Sequence, residues 1–132
     1  KHQKLQEFVR DMLHLYKKYP ALYGGDGDPE AFQWINANDG DRSIFSFVRY
    51  SPTGRNHLLF VCNYTPLERK DYRVGVPRRK QYQLILNSAD PMYGGTYHRE
   101  QLIYKAEKKE CDGQTYSIGY ELPPLSVSVF KF

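Results

Sequence analysis

The spacing of apolar positions changes once along the chain. Over residues 1–19, Leu5, Phe8, Val9, Met12, Leu13, Leu15, Tyr16 and Tyr19 recur three and four apart, which predicts a helix. At about 100° per residue they spread over roughly 160°, wider than the stripe of a helix that packs on one side only. Such a helix has apolar contacts to make on two sides, and a domain this small supplies one of them. Pro20 ends it, and Tyr19 before the proline is steered toward extended backbone. No Ser, Thr, Asp or Asn stands at the helix start, and the first residue is Lys1 rather than Met. Both fit an expectation that a longer chain precedes it.

After the loop Gly24-Gly25-Asp26-Gly27-Asp28-Pro29 the period becomes two and stays so. Strands are expected near 31–37, 42–50, 57–64, 71–76, 80–87, 100–107, 114–122 and 124–131. Tyr116, Ile118, Tyr120 and Leu122 alternate with Ser117, Gly119 and Glu121. Tyr82, Leu84 and Leu86 alternate with Gln81 and Gln83, although Ile85 interrupts the polar side. Turn signals separate the runs at Ser51-Pro52-Thr53-Gly54, Val76-Pro77, Tyr93-Gly94-Gly95, Asp112-Gly113 and Pro123-Pro124. The expected fold is mostly β: an antiparallel β-sandwich of seven or eight strands, of Greek-key type, preceded by one N-terminal α-helix.

Two strands are apolar on both faces. Ile44 and Val48 oppose Phe45 and Phe47; Leu58, Phe60 and Cys62 oppose Leu59 and Val61. A two-layer sandwich buries one face of each sheet, so the second face needs a cover. The N-terminal helix supplies part of it, and a neighbouring domain is expected to supply the rest. Without that neighbour, the uncovered patch predicts self-association of the isolated chain.

Composition narrows the class. The chain has 132 residues, one small domain's worth and too short for a complete (β/α)₈ barrel. No run approaches a transmembrane helix and no signal-peptide core is visible, so a soluble, cytoplasmic protein without membrane contact is expected. Lys plus Arg (19) exceeds Asp plus Glu (15) by 4, and the basic residues are scattered. Nucleic acid is not an expected partner, because an oligonucleotide-binding β-fold needs exposed aromatics within a basic groove. Cys62 and Cys111 are too far apart for a metal knuckle or a redox pair, and two reduced thiols are expected.

The residues offer little catalytic chemistry. His2, His14, His57 and His98 form no metal-binding spacing. Asp26-Gly27-Asp28 opens like a calcium loop, but Ala31 and Ala37 stand where that loop needs Gly and Glu. Nucleophile elbows, phosphate loops and dinucleotide fingerprints are missing. No catalytic residue, metal or cofactor is assigned. One feature remains: Trp34, the single Trp, shares a strand face with Phe32 beside the polar run Asn36–Asp41. It is either a platform for a sugar ring, with the Asn and Asp side chains bonding hydroxyls, or a core indole with its N–H satisfied.

Several phrases of the chain, in order, carry a family resemblance. His14-Leu15-Tyr16-Lys17-Lys18-Tyr19-Pro20-Ala21-Leu22 and Asp28-Pro29-Glu30-Ala31-Phe32-Gln33-Trp34-Ile35 come first, followed by Ser43-Ile44-Phe45-Ser46-Phe47-Val48-Arg49. Val61-Cys62-Asn63-Tyr64-Thr65-Pro66, Tyr72-Arg73-Val74-Gly75-Val76-Pro77, Leu86-Asn87-Ser88 and Tyr93-Gly94-Gly95 come next. Tyr116-Ser117-Ile118 and Leu122-Pro123-Pro124-Leu125 close the series. Over essentially its whole length the chain resembles the end of bacterial 1,4-α-glucan (glycogen) branching enzymes, of the α-amylase superfamily. It departs from their pattern at His14 and at Thr96-Tyr97, and the charged region Gln101–Cys111 matches only loosely.

The resemblance implies that residues 1–22 are the last helix of a catalytic (β/α)₈ barrel and its exit, and that 23–132 form a C-terminal β-sandwich domain. It implies a retaining glycosyltransferase as parent, with its catalytic Asp and Glu upstream of Lys1. This part would be no enzyme by itself. The barrel of the same polypeptide and α-glucan or glycogen are the implied partners. Phe8, Met12, Leu15 and Tyr16 are then expected to face the barrel, and Trp34 with Phe32 to contact carbohydrate. A free-standing α-glucan-binding sandwich is the alternative; it leaves the wide helix stripe unexplained.

Overall fold

A computed structural model describes residues 10, 11, 14, 17–22, 29–39 and 43–132. Eight strands follow one another where the alternation places them, with ends shifted by a few residues. They are β1 (Phe32–Asp39), β2 (Ile44–Arg49), β3 (Leu58–Asn63), β4 (Arg69–Val76), β5 (Gln81–Asn87), β6 (Ile103–Lys105), β7 (Tyr116–Leu122) and β8 (Ser126–Lys131). Short 3₁₀ turns lie at Pro20–Leu22, Pro29–Ala31 and Pro91–Tyr93. The expected N-terminal helix falls largely outside the described residues; of those described, Arg10, Asp11, His14, Lys17 and Lys18 have helical backbone.

All strand pairs are antiparallel. The large sheet runs β1-β2-β3-β8-β5-β6, and β4 pairs with β7 in a second sheet. Strand β8 returns to lie beside β5, β5 pairs with β6, and a bridge between Glu107 and Ser117 joins the segment after β6 to β7. That spatial order, fourth-first-second-third, is a Greek key.

Between the sheets, Ile44, Val48, Leu59, Val61, Tyr82, Leu84 and Phe130 meet Tyr72, Val74, Val76, Ile118, Tyr120 and Leu122. The rings of Tyr104, Tyr120 and Phe130 meet edge to face at 5.0–5.6 Å, a geometry worth more than its buried area alone. The Tyr120 hydroxyl and Ser128 Oγ, both buried, bond each other at 2.8 Å. Asn63 closes the far end of β3. Its Nδ2 donates to the carbonyls of Leu67 and Pro123, and its Oδ1 accepts from the Thr65 N–H and hydroxyl. The Asn63-to-Thr65 phrase thus ties one end of the sandwich together without leaving a buried amide unpaired.

Strict alternation fails within β5. Leu84 lies opposite Phe130 and Leu86 opposite Val129, so Ile85 is an extra residue in β5. A bulge of this kind exchanges the faces that follow it. Tyr82 and Leu84 point into the inter-sheet core, whereas Leu86 lies in the cluster on the other side of the sheet. The apolar Ile85 that interrupted the pattern marks that switch.

Asp112 and Gly113 have positive φ (54° and 75°), and Cys111 exchanges both backbone bonds with Gln114. This is the two-residue hairpin turn that an Asp-Gly pair favours. Its Asp112 carboxylate accepts from the Gly75 N–H of β4 at 2.8 Å and from Asn36 Nδ2 of β1 at 3.2 Å. A Cβ on Gly75 would stand 2.3 Å from the Cys111 carbonyl oxygen, so only Gly fits beneath the hairpin. Cys111 and Cys62 are both free thiols, and burial pushes the Cys111 thiol up to about 11.

Two outcomes are expected. Gly75→Ala should lower stability by about 1–3 kcal/mol in urea unfolding, the usual cost of overpacking. Burial pushes the Tyr104 hydroxyl up to about 12 and also raises Tyr82 and Tyr120. The unfolded chain loses these protons near pH 10 while the folded one keeps them. Stability should therefore be complete below pH 10 and fall between about 10 and 12. Alkaline unfolding followed by circular dichroism checks this.

Candidate functional site

The face of the large sheet turned away from β4 and β7 carries a row of apolar side chains in cross-strand register. Trp34 lies opposite Phe47, Phe47 opposite Phe60, Phe60 opposite Val129, and Val129 opposite Leu86. The row crosses β1, β2, β3, β8 and β5. Phe47 and Phe60 stack at 4.9 Å with planes 7° apart, and Phe32 stacks on Phe47 at 5.1 Å. Trp34 meets Phe32 and Phe47 edge to face at 5.3 and 5.6 Å. Side chains of such neighbouring pairs stabilise one another across a sheet. A second row beside it, on the same face by strand alternation, places Arg49 and Lys131 on either side of Leu58.

Half of this face is covered. Tyr19 and Ala21, at the end of the N-terminal stretch, are buried against Leu58, Phe60, Leu86 and Val129. Asp11 accepts a hydrogen bond from the Tyr93 hydroxyl. A groove of about 380 Å³ remains between Asp11, His14 and Lys18 on one side and Ile85, Leu86, Met92 and Tyr93 on the other. The β1 end is open: Trp34 is 53% exposed and Phe32 36%.

Trp34 therefore lies outside the domain's own core. Of its expected polar company, the one described Asn side chain turns elsewhere. The register shifts between Trp34 and Asn36, and Asn36 reaches Asp112 instead. Gln33 and Ile35 turn inward: Gln33 accepts from the Tyr50 hydroxyl, and Ile35 is buried in the inter-sheet core. Residues 40–42 of the polar run lie outside the described residues, as do Phe8, Met12, Leu15 and Tyr16. Sequence reasoning named Phe47 and Phe60 as part of a two-faced strand pair but not as members of Trp34's cluster. Only the pairing register joins them.

The described residues gather no catalytic constellation around this face, and no three His, Cys, Asp or Glu among them converge as metal ligands. His57 is buried, and its Nδ1 accepts from the Ser51 N–H at 2.9 Å. Burial and then Arg78 push it below the usual histidine range, so it is a neutral structural group near pH 7. No helix among the described residues is long and apolar enough to cross a membrane.

The described residues thus form a β-sandwich whose inner faces are sealed and whose outer face is apolar, aromatic and half covered. The chain belongs to the family described as "Alpha amylase, C-terminal all-beta domain", which matches residues 34–132. It is 45% identical over 128 residues to a 1,4-alpha-glucan branching enzyme of Butyrivibrio fibrisolvens, covering 97% of this chain and 20% of that one. Over 130 residues it is 42% identical to a 1,4-alpha-glucan branching enzyme of Gloeobacter violaceus, covering 98% of this chain and 18% of the relative. With that of Aquifex aeolicus the identity is 36% over 130 residues, covering 98% and 21%. The chain thus spans about a fifth of the length of the curated relatives it matches.

The geometry separates the two ends of the aromatic row. Trp34→Ala should change stability by under about 1 kcal/mol, as an exposed position does. Phe60→Ala, in the middle of the row, should cost about 3–5 kcal/mol. Because Trp34 is the single Trp, acrylamide should quench its emission readily in the folded chain.

Proposed function

We propose that this chain is the non-catalytic C-terminal domain of a cytoplasmic 1,4-α-glucan branching enzyme. The parent cleaves an α-1,4 glucan through a retaining glycosyl-enzyme intermediate and transfers the oligosaccharide to a 6-hydroxyl, placing α-1,6 branches in glycogen. In this reading residues 1–22 are the last helix of the catalytic (β/α)₈ barrel and its exit, and 23–132 are the β-domain. Phe8, Met12, Leu15 and Tyr16 face the barrel. The domain covers apolar barrel surface and holds that last helix in place.

The observation that carries this reading is the half-covered aromatic row. Its buried half meets Tyr19 and Ala21, at the very end of the stretch assigned to the barrel. Its open half presents Trp34, Phe32 and Phe47 in one continuous apolar surface flanked by Arg49. Family membership and the fraction of each relative that the chain matches support the same placement.

Trp34 and Phe32 also support a second reading, a glucan contact, because the indole is more than half exposed. Its neighbours among the described residues are the rings of Phe32 and Phe47, which favours docking.

Mixing this chain with a separately produced catalytic portion of the same enzyme tests the proposal. The two should associate tightly, and Phe47→Asp should weaken association by about thirtyfold or more, as loss of a central anchor does. The chain alone should leave amylose unbranched. Failure to associate, or branching by the chain alone, would overturn the proposal. Titration with a linear malto-oligosaccharide, read by Trp34 emission, separates docking (no change) from glucan contact (a saturable change).

A further inference from the structure

On the other side of the molecule, a cleft of about 540 Å³ opens beside β7, within the size range of small-molecule sites. Its floor is Gly119, exposed and without a side chain. On this edge of β7 Ser117 exchanges both backbone bonds with Glu107, and the Glu121 carbonyl accepts from Arg99 Nε and Nη2 at 3.2 and 2.8 Å. By the two-residue alternation of a strand, the N–H and C=O of Gly119 point to the same edge, into the gap between those two closures. Strand β4 lies on the opposite edge.

The walls are held in place before any ligand arrives. Arg73 donates to Ser117 Oγ at 2.9 Å and to Glu107 at 2.8 Å. Arg99 lies between Glu68 and Glu121, over the rings of Tyr97 and Tyr120. The Tyr104 hydroxyl is fixed on the Gln101 carbonyl at 2.9 Å. Formal charge balances: Lys70, Arg73 and Arg99 against Asp71, Glu100 and Glu121.

This lining selects among ligand classes. An anion finds both arginines already engaged by carboxylates. A nucleic acid base lacks an exposed ring, since Tyr72, Tyr104 and Tyr120 are buried. A peptide strand needs a run of open backbone groups, and here one residue is offered between two closed ones. What fits is a neutral ligand whose groups each donate and accept, as sugar hydroxyls do. Guanidinium groups only donate, carboxylates only accept, and Gly119 offers one of each.

We propose that the Gly119 cleft binds a neutral oligosaccharide through the Gly119 backbone, Gln101 and Glu121, with Arg73 and Arg99 holding the walls. That the sugar is an α-glucan rests on the branching-enzyme reading; the preference for a neutral polyol does not. The site is separate from Trp34, which lies on β1 at the far edge of the large sheet.

The test is an amide-resolved NMR titration of the whole chain with a linear malto-oligosaccharide, a linear cello-oligosaccharide and inorganic phosphate. Saturable shifts at Gly119 and Gln101 with the malto-oligosaccharide are expected. Gly119→Val, which puts a side chain on the cleft floor, should weaken that binding by roughly tenfold or more. Gly119→Ala is the gentler variant: its Cβ would meet only Arg73 Nη2 at 3.4 Å and Cζ at 3.9 Å, so the fold tolerates it, and affinity should still fall. Shifts with the cello-oligosaccharide alone would uphold a saccharide cleft and count against the α-glucan reading. Shifts confined to Trp34 and its neighbours, a response to phosphate alone, or unchanged affinity in both glycine variants would overturn the cleft proposal.

Discussion

The structure depends on one strand being dry on both sides. All six residues of β3, Leu58 through Asn63, are buried. A strand without a solvent face cannot sit in a sheet that has one layer above it and water below. It requires β4 and β7 over its inner side and further apolar surface over its outer side. The apolar character of both faces of β2 and β3 follows from this, as does the placement of Tyr19 and Ala21 against Phe60. Cys62 and Asn63 show the same constraint: a small thiol fits, and an amide survives only with every hydrogen-bonding group engaged.

Each sheet then has a different exterior. The large sheet turns rings outward and the small sheet turns charges outward. Along the first, burial rises from the open indole at β1 to the sealed centre at β3 and β8. Along the second, the Asp112 hairpin and the Glu107 segment cover most of β7's neighbourhood and leave Gly119 bare. The aromatic side is suited to a large apolar surface that excludes water. The charged side is suited to a ligand that itself carries many hydrogen-bonding groups.

Much of the fold was legible because its strands are short, alternating and separated by turn residues with defined geometry. Asp112-Gly113 is the clearest case, read as a turn and found as a two-residue hairpin with both φ angles positive. The two-faced character of Phe45–Phe47 and Leu58–Cys62 was legible for the same reason. Face assignments failed where an extra residue slipped the register: Ile85 moved Leu86 to the opposite side, and the shift after Trp34 carried Asn36 away from it. Such bulges are set by partner strands far along the chain, so local periodicity reports them only as an apolar residue out of step. The cleft left almost no mark in the sequence. Its walls come from residues near 73, 99, 104 and 119, which no spacing rule connects. A glycine inside an alternating run was its single trace.

The position of β8 has a consequence for how the domain is made. Residues 126–131 occupy the middle of the large sheet, between β3 and β5, rather than an edge. Until β8 is in place, β1–β3 and β5–β6 can pair only as two part-sheets, each with an unfilled edge. Those edges are templates for pairing with other chains until β8 fills the gap. Closing the sheet also joins segments distant in sequence, which slows folding. A chain stopped just before residue 126 would keep the edges of β3 and β5 open to pairing with other chains.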